Sequence, residues 1–349
     1  MSQDDPQRKD TIATSAGTLT VAPARFAEVD ALVAIHEAAA ASVRARGYDP
    51  GEPPRPLRDI VAARTASGEQ YLARLDAAPA AALTLQWRDR AIWGDVPDDA
   101  AYVHGLMVAP ALAGRRIGRY LLRWAERQAA AAGKPYTRLD CRADNLALRA
   151  YYARAGFAGR SEVALAGHAY VGARFERRVP VPERLQTPLD AVILAPAEGS
   201  DADALLALLE EAARWLTARG IDQWRPGIFA RGPLLDEIAA GERFVARWDG
   251  VLAGTLRLCW DDPATWGTQP PDAGYVHGLA VARTFAGRAL GRALLDWAAR
   301  AAADAGKTTL RLDCVAHNAP LRAYYQRAGF TVCGEVDGGT LFERRLAPG

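Results

Sequence analysis

Apolar residues recur with two periods along the chain, and the whole pattern occurs twice. Residues 18–22 alternate as a strand. Residues 27–46 place Val29, Leu32, Val33, Ile35 and His36 at helical spacing, with Gly47 as the stop. A second short helix is predicted over 60–66. Residues 70–75 and 80–87 read as paired strands joined through a small turn at 76–79. Residues 102–108 make a strong apolar strand. Residues 118–132 predict a helix with Leu121, Leu122, Trp124 and Ala125 on its apolar side and Gly133 beyond its end. A strand over 137–141, a helix over 146–154 and a last strand region after Gly156 complete the set. The order β-α-α-β-β-β-α-β-α-β is that of a mixed α/β layer fold.

The second occurrence is a repeat in sequence, not only in pattern. YVHGLMV begins at Tyr102 and YVHGLAV at Tyr275, so the copies are offset by 173 residues. The same offset pairs Gly114 with Gly287, Asp140 with Asp313, Asn145 with Asn318 and Tyr152 with Tyr325. From Tyr102 to Val163 no gap is needed, and about 39 of 62 positions are identical. Beyond Val163 the first copy gains six residues before Phe175 rejoins Phe342. A period this long means duplicated domains, because solenoid repeats run about 20–50 residues. Residues 1–17 are expected to be a disordered leader and 180–189, with their prolines, a stiff linker. That leaves one domain over 18–179 and another over 190–349.

Composition narrows the function classes. The formal net charge is +2, which speaks against a nucleic-acid partner, since such binding calls for a concentrated basic face. No apolar run approaches a membrane span and the polar start shows no secretion signal, so a cytoplasmic protein is expected. Cys141, Cys259, Cys314 and Cys333 show neither a CxxC pair nor zinc spacing, so reduced thiols and no metal are expected.

The strand at 102–108 runs into Ala113-Gly114-Arg115-Arg116-Ile117-Gly118-Arg119 and then a helix. The second copy has Ala286-Gly287-Arg288-Ala289-Leu290-Gly291-Arg292. A glycine loop ahead of a helix start presents backbone N–H groups at the positive end of the helix dipole, which suits an anion. The arginines add forked donors for phosphate. No Gly-Lys-Ser/Thr follows, so this is not a P-loop. The preceding strand sits mid-domain and no acidic residue stands at the expected place, so it is not a dinucleotide fingerprint either.

The motif strand–Val-x-Pro-x-x-x-Gly-Arg-x-x-Gly-Arg–helix is followed by Asn145 and by Tyr152-Ala-Arg-Ala-Gly-Phe157. It resembles the GNAT acetyltransferase superfamily. The second copy supplies Asn318 and Tyr325-Gln-Arg-Ala-Gly-Phe330, so the resemblance covers nearly the whole chain, twice. It implies two tandem α/β domains, each with a mixed, splayed central sheet flanked by helices. It also implies acetyl-CoA as co-substrate, with the loop on the pyrophosphate and backbone contacts to pantetheine from Leu106, Met107 and Val108 and from Leu279, Ala280 and Val281. Asn145 and Asn318 would touch the same molecule, although an N-cap role is equally natural for them. The loop departs from the family pattern, which has glycine where Arg116 and Ala289 stand.

Transfer of an acetyl group to an amine needs a proton acceptor on the amine side and a donor for the departing thiolate. His104 and His277 are the acceptor candidates. Each lies inside the strand leading to the loop, where several family members carry a glutamate, and a histidine titrates near neutral pH. Gly105 and Gly278 follow, and a glycine inside a strand often marks a bulge or a close backbone approach. Tyr152 and Tyr325 are the donor candidates implied by the family motif. Cys141 and Cys314 close the next strand, but no base adjoins them in sequence, so an acyl-cysteine is disfavoured. The acceptor site is expected around Arg44, Arg46, Tyr48 and Asp49 in one copy and Trp215, Arg219, Asp222, Trp224 and Arg225 in the other. The leading expectation is acetyl transfer to the amine of a small molecule, with the second copy the firmer catalyst. A CoA-binding regulatory protein and an aminoacyl-tRNA-dependent transferase are the alternatives.

Overall fold

Each copy of the repeat builds an eight-stranded mixed sheet with helices on its faces. The structure is a computed structural model and describes residues 9–49, 55–164 and 171–347. The chain divides into two compact units, Met1–Arg149 with Arg160–Val179, and Ala150–Gly159 with Pro180–Gly349.

The first copy runs β1 (Asp10–Thr14), β2 (Gly17–Pro23), α1 (Val29–Ala45), α2 (Leu57–Ala66), β3 (Gln70–Leu75), β4 (Ala78–Gln86), the single turn α3 (Arg90–Trp93), β5 (Ala100–Val108), α4 (Ile117–Ala131), β6 (Tyr136–Arg142), α5 (Leu146–Arg154), β7 (Ala158–Ala164) and β8 (Val171–Arg178). The sheet order is β1-β2-β3-β4-β5-β6-β8-β7. Among the described residues, only β5 and β6 pair in parallel. Helix α4 follows its sequence pattern: Ile117, Leu121, Leu122, Trp124 and Ala125 are buried. Each fully buried leucine contributes about 1.5–3 kcal/mol of transfer free energy. On α1, Val29, Leu32, Ile35 and His36 turn inward at the expected spacing.

The second copy repeats the plan with β9 (Glu183–Arg184), β10 (Val192–Pro196), α6 (Ala202–Thr217), α7 (Arg231–Ala239), β11 (Arg243–Trp248), β12 (Val251–Cys259), α8 (Pro263–Trp266), β13 (Ala273–Val281), α9 (Leu290–Asp304), β14 (Thr309–Val315), α10 (Ala319–Arg327), β15 (Thr331–Val336) and β16 (Gly339–Arg345). Its order is β15-β16-β14-β13-β12-β11-β10-β9, and β13 with β14 is the parallel pair.

Three expectations are corrected. The leader expected over 1–17 contains β1, which pairs antiparallel with β2 from Asp10↔Val21 to Thr14↔Gly17. Its Ile12 is buried, and Trp124 Nε1 donates to Asp10 at 2.7 Å, so apolar burial and a side-chain bond hold the strand. Residues 1–8 lie outside the described residues. The linker expected over 180–189 contains β9, whose edge pairs with β10 at Ile193↔Arg184. The last strand region is two strands, and β8 is inserted between β6 and β7.

Candidate active site

The sheet of each copy opens at its centre. Strands β5 and β6 pair only over Ala100–Val103 with Tyr136–Leu139. From His104 to Val108, β5 keeps β4 on one side and has no partner strand on the other among the described residues. In the second copy pairing stops sooner, at Tyr275 with Arg311. The released edge, Leu106, Met107 and Val108 or Leu279, Ala280 and Val281, carries the backbone groups expected to face pantetheine. An unpaired strand edge seeks an amide partner.

The kink that opens the sheet is a bulge. Ala82 faces Met107 but Thr84 faces His104, so β5 carries one extra residue there. Arg257 facing His277 and Thr255 facing Ala280 show the same in the second copy. Gly105 has φ 54° and Gly278 φ 53°, a left-handed conformation that glycine adopts without cost.

The loop beyond the strand is also left-handed, at two positions per copy. Gly114 and Gly287 have φ 80° and 76°. Arg116 and Ala289, where the family has glycine, have φ 59° and 58° and stand immediately before α4 and α9. Gly114, Arg115, Arg116, Ile117, Gly118 and Arg119 thus form a turn ending on a helix N-terminus. Gly287, Arg288, Ala289, Leu290, Gly291 and Arg292 form its copy. Each helix leaves its first amides without intrahelical acceptors, ready for an anion. Arg292 is partly engaged, with Asp296 at 2.8 Å and the Arg327 carbonyl at 3.0 Å.

At the mouth of each opening a histidine stands between two aspartates. His104 Nε2 lies 3.4 Å from Asp89 Oδ2, and Nδ1 3.5 Å from Asp140 Oδ1. His277 Nε2 lies 3.3 Å from Asp262 Oδ2, and Nδ1 3.9 Å from Asp313 Oδ1. Asp140 and Asp313 come from β6 and β14. Asp89 and Asp262 cap the short helices, their Oδ1 accepting from Ile92 N and Thr265 N. Burial pulls His277 below its ordinary value, with Arg257 adding to this and Asp262 opposing it. Burial raises Asp89 and Asp313. His277 is therefore a neutral imidazole at neutral pH, the form that accepts a proton. The donor atoms of each trio lie within 4.8 Å of one another. Asp89 lies on the Nε2 side and Asp140 on the Nδ1 side of His104, and Asp262 and Asp313 flank His277 in the same way.

These features match a known family. The Acetyltransferase (GNAT) family profile matches residues 34–157 and again 206–330. The chain belongs to the GNAT acetyltransferase family. A curated relative, the uncharacterized N-acetyltransferase YesJ of Bacillus subtilis (strain 168), is 35% identical over 171 residues, covering 46% of this chain and 94% of that protein. Among solved structures, a GNAT-family acetyltransferase from Listeria monocytogenes is 26% identical, covering 47% of this chain and 99% of that one with a TM-score of 0.43. The PaiA N-acetyltransferase of Thermoplasma acidophilum, solved with coenzyme A, is 17% identical and covers 44% of this chain and 99% of that one, with a TM-score of 0.37.

The remaining GNAT motif residues divide by role. Tyr325 is buried on α10, its ring 6.1 Å from Phe330 and 5.7 Å from Phe342. Burial, with Cys314 and Asp313 adding to it, pushes its phenol far above the usual value. Tyr152 is likewise buried on α5, 6.2 Å from Phe157. Asn145 and Asn318 cap their helices, accepting from Leu148 N at 3.0 Å and Leu321 N at 3.2 Å. Burial drives the Cys141 thiol up to about 12 and Cys314 to about 11, with the neighbouring aspartate adding to each, which disfavours the thiolate an acyl-cysteine needs. Tyr324 comes unexpectedly close to the phosphate loop: its hydroxyl lies 2.8 Å from where a side chain on Gly291 would begin.

The loops expected to frame the acceptor differ between the copies of this GNAT module. Asp49 pairs with Arg142 at 3.1 Å. In the second copy Asp222 pairs with Arg225, and Trp224 packs edge-on against Phe229. Gln223 Oε1 accepts from Asn318 Nδ2 at 3.2 Å, which ties the loop after α6 to the start of α10. Trp215 has Arg219 and Arg283 over its ring at 4.1 and 4.0 Å. Asp89 and Asp262 are functional candidates that the motif does not contain. Their one sequence signal is the repeat itself, which sets each four residues before a Trp-Gly pair. No helix among the described residues is long and apolar enough to cross a membrane.

Proposed function

We propose that the protein moves the acetyl group of acetyl-CoA to the amine of a small molecule, with the second copy the principal catalyst. The observation that carries this is the place of His277, at the point where β13 parts from β14 and just ahead of the phosphate loop. The fit to the co-substrate rests on three features: the released edge of β13, the left-handed turn at Ala289, and the start of α9. Leu279, Ala280 and Val281 would pair with pantetheine amides, and Gly287 to Arg292 would hold the pyrophosphate. Bound acetyl-CoA supplies an acetyl thioester.

The amine must lose a proton to attack, because a free alkylamine is protonated at neutral pH. Asp262 Oδ2, 3.3 Å from Nε2, favours the tautomer with its proton on that nitrogen, which leaves Nδ1 to take the amine's proton. Asp313, on the Nδ1 side, stabilises the imidazolium that forms. As the C–N bond forms and the C–S bond breaks, the thiolate needs a hydrogen-bond donor. Tyr325 fills this place. Its raised phenol keeps its proton throughout the working range, so it stabilises the sulfur by hydrogen bonding rather than by complete transfer. His104, Asp89, Asp140 and Tyr152 are the matching residues of the first copy.

The test is thiol release from acetyl-CoA by the full chain against a panel of small amines. His277→Ala and Tyr325→Phe should each lower kcat by about 100- to 10,000-fold. Unchanged turnover in both variants would sink the assignment, and absence of CoA binding by the unaltered chain would sink the whole reading.

A further inference from the structure

The two copies differ in chemistry beside the bulge, next to the proposed base. In the second copy the space over Gly278 is occupied by Arg243, whose Nη1 donates to the Gly278 carbonyl at 3.3 Å. Arg243 Nε also bonds Glu237 at 2.9 Å, and Arg257, which faces His277 across the strands, bonds Glu242 at 2.8 Å. Two arginines are thus matched by two carboxylates, and the network is complete in itself.

In the first copy every one of these positions is changed except Glu69. His36, Arg64, Gln70 and Thr84 stand where the second copy has Leu209, Glu237, Arg243 and Arg257. Arg64 forms no ion pair among the described residues. Its hydrogen bond goes to a neutral group, Thr84 Oγ1 at 3.3 Å. Glu69 acts on it electrostatically but accepts from Gln86 Nε2 at 2.8 Å, and Arg55 opposes with like charge. His36 is 7% exposed, and its Nε2 is buried with no hydrogen-bond partner. Both side chains converge on the bulge: a Cβ built at Gly105 would lie 3.4 Å from His36 Cε1 and 3.8 Å from Arg64 Nη1.

A half-buried guanidinium with spare donors and a buried orphan nitrogen lack one group, an anionic acceptor. We infer that the first copy binds an acceptor carrying a carboxylate a few atoms from its amine, held by Arg64 with His36 beside it. The second copy, where Arg243 fills the space over Gly278 and Glu237 stands at the Arg64 position, excludes that carboxylate. Planar guanidinium donors match a carboxylate fork. His104 directly precedes Gly105, so the amine of such a molecule falls at the proposed base when its carboxylate is at Arg64. This inference rests on the acetyl-transfer reading for its assay but not for its binding arm.

The experiment uses the full chain bearing His277→Ala and Tyr325→Phe, which silences the second copy. Glycine, β-alanine and L-phenylalanine are compared with glycinamide, β-alaninamide and L-phenylalaninamide as acetyl acceptors. The acids should be preferred, and Arg64→Gln should lower the acid-to-amide ratio of kcat/KM by about 10- to 100-fold, with Arg64→Lys retaining part of it. Equal use of acids and amides by the parent, or a ratio unmoved by Arg64→Gln in a folded variant, overturns the proposal. Calorimetric titration with N-acetyl-β-alanine separates the two readings. If no amine is acetylated, the transferase reading of this copy fails, whereas binding that disappears in Arg64→Gln still supports the carboxylate site. No binding overturns it.

Discussion

Replacing the left-handed residue of the phosphate loop with glycine tests the backbone on which the CoA reading rests. Ala289 sits at φ 58° just before α9. A side chain in that region costs about 1–2 kcal/mol. Glycine removes this cost but adds about 0.5–1 kcal/mol of chain entropy lost on folding. Ala289→Gly should therefore stabilise the second copy by about 0.5–1 kcal/mol. With a urea slope of about 2 kcal/mol/M, the midpoint of its transition rises by about 0.3–0.5 M. Ala286 is an internal control three residues away, because its φ is −60°. There glycine brings only the entropic loss, so Ala286→Gly should lower the midpoint by a similar amount. The assay is urea unfolding of the full chain followed by tryptophan fluorescence. A fall in midpoint for Ala289→Gly, or the same sign at 286 and 289, refutes the left-handed turn.

Three further outcomes follow from the same geometry. Asp262→Asn keeps the oxygen that caps Thr265 N but removes the charge that raises His277. The acid limb of kcat/KM should then move to lower pH, with a loss of about tenfold or more in rate; a limb that moves upward, or stays, contradicts the pairing. His36 is brought from 6.5 to about 4 by burial, with Arg64 adding to it. The unfolded chain therefore binds the proton more readily between those values, and the first copy loses up to about 3 kcal/mol as pH falls through that window. His36→Leu should flatten this loss, and urea midpoints at pH 7 and pH 5 measure it; an equal loss in the variant refutes it. Asn318→Ala removes both the Leu321 cap and the bond to Gln223, so the second copy should lose about 1–2 kcal/mol in chemical denaturation.

What was legible in the sequence was local or repeated. The apolar face of α4, with Leu121, Trp124 and Ala125, follows from a 3.6-residue period that needs no knowledge of distant partners. The strand, glycine loop and helix start that place Gly114 and Gly287 are contiguous, and the duplication shows each of them twice. A glycine inside an apolar strand marks a bulge or a close backbone approach, and at Gly105 and Gly278 the strand register shows the bulge.

What the tertiary structure alone decided depends on pairing between distant segments. The opening of the sheet lies in where β13 stops meeting β14, a matter of register that neither strand encodes alone. Strand β1 is short and follows a polar start, and only its pairing with β2 and the bond from Trp124 to Asp10 give it a place. Asp262 reaches His277 from a loop fifteen residues upstream because the single turn of α8 aims it there. Arg64 and His36 meet only because two helices pack over the same bulge. Charge balance at a buried site is set by partners in space, so one module written twice can carry two different acceptor pockets.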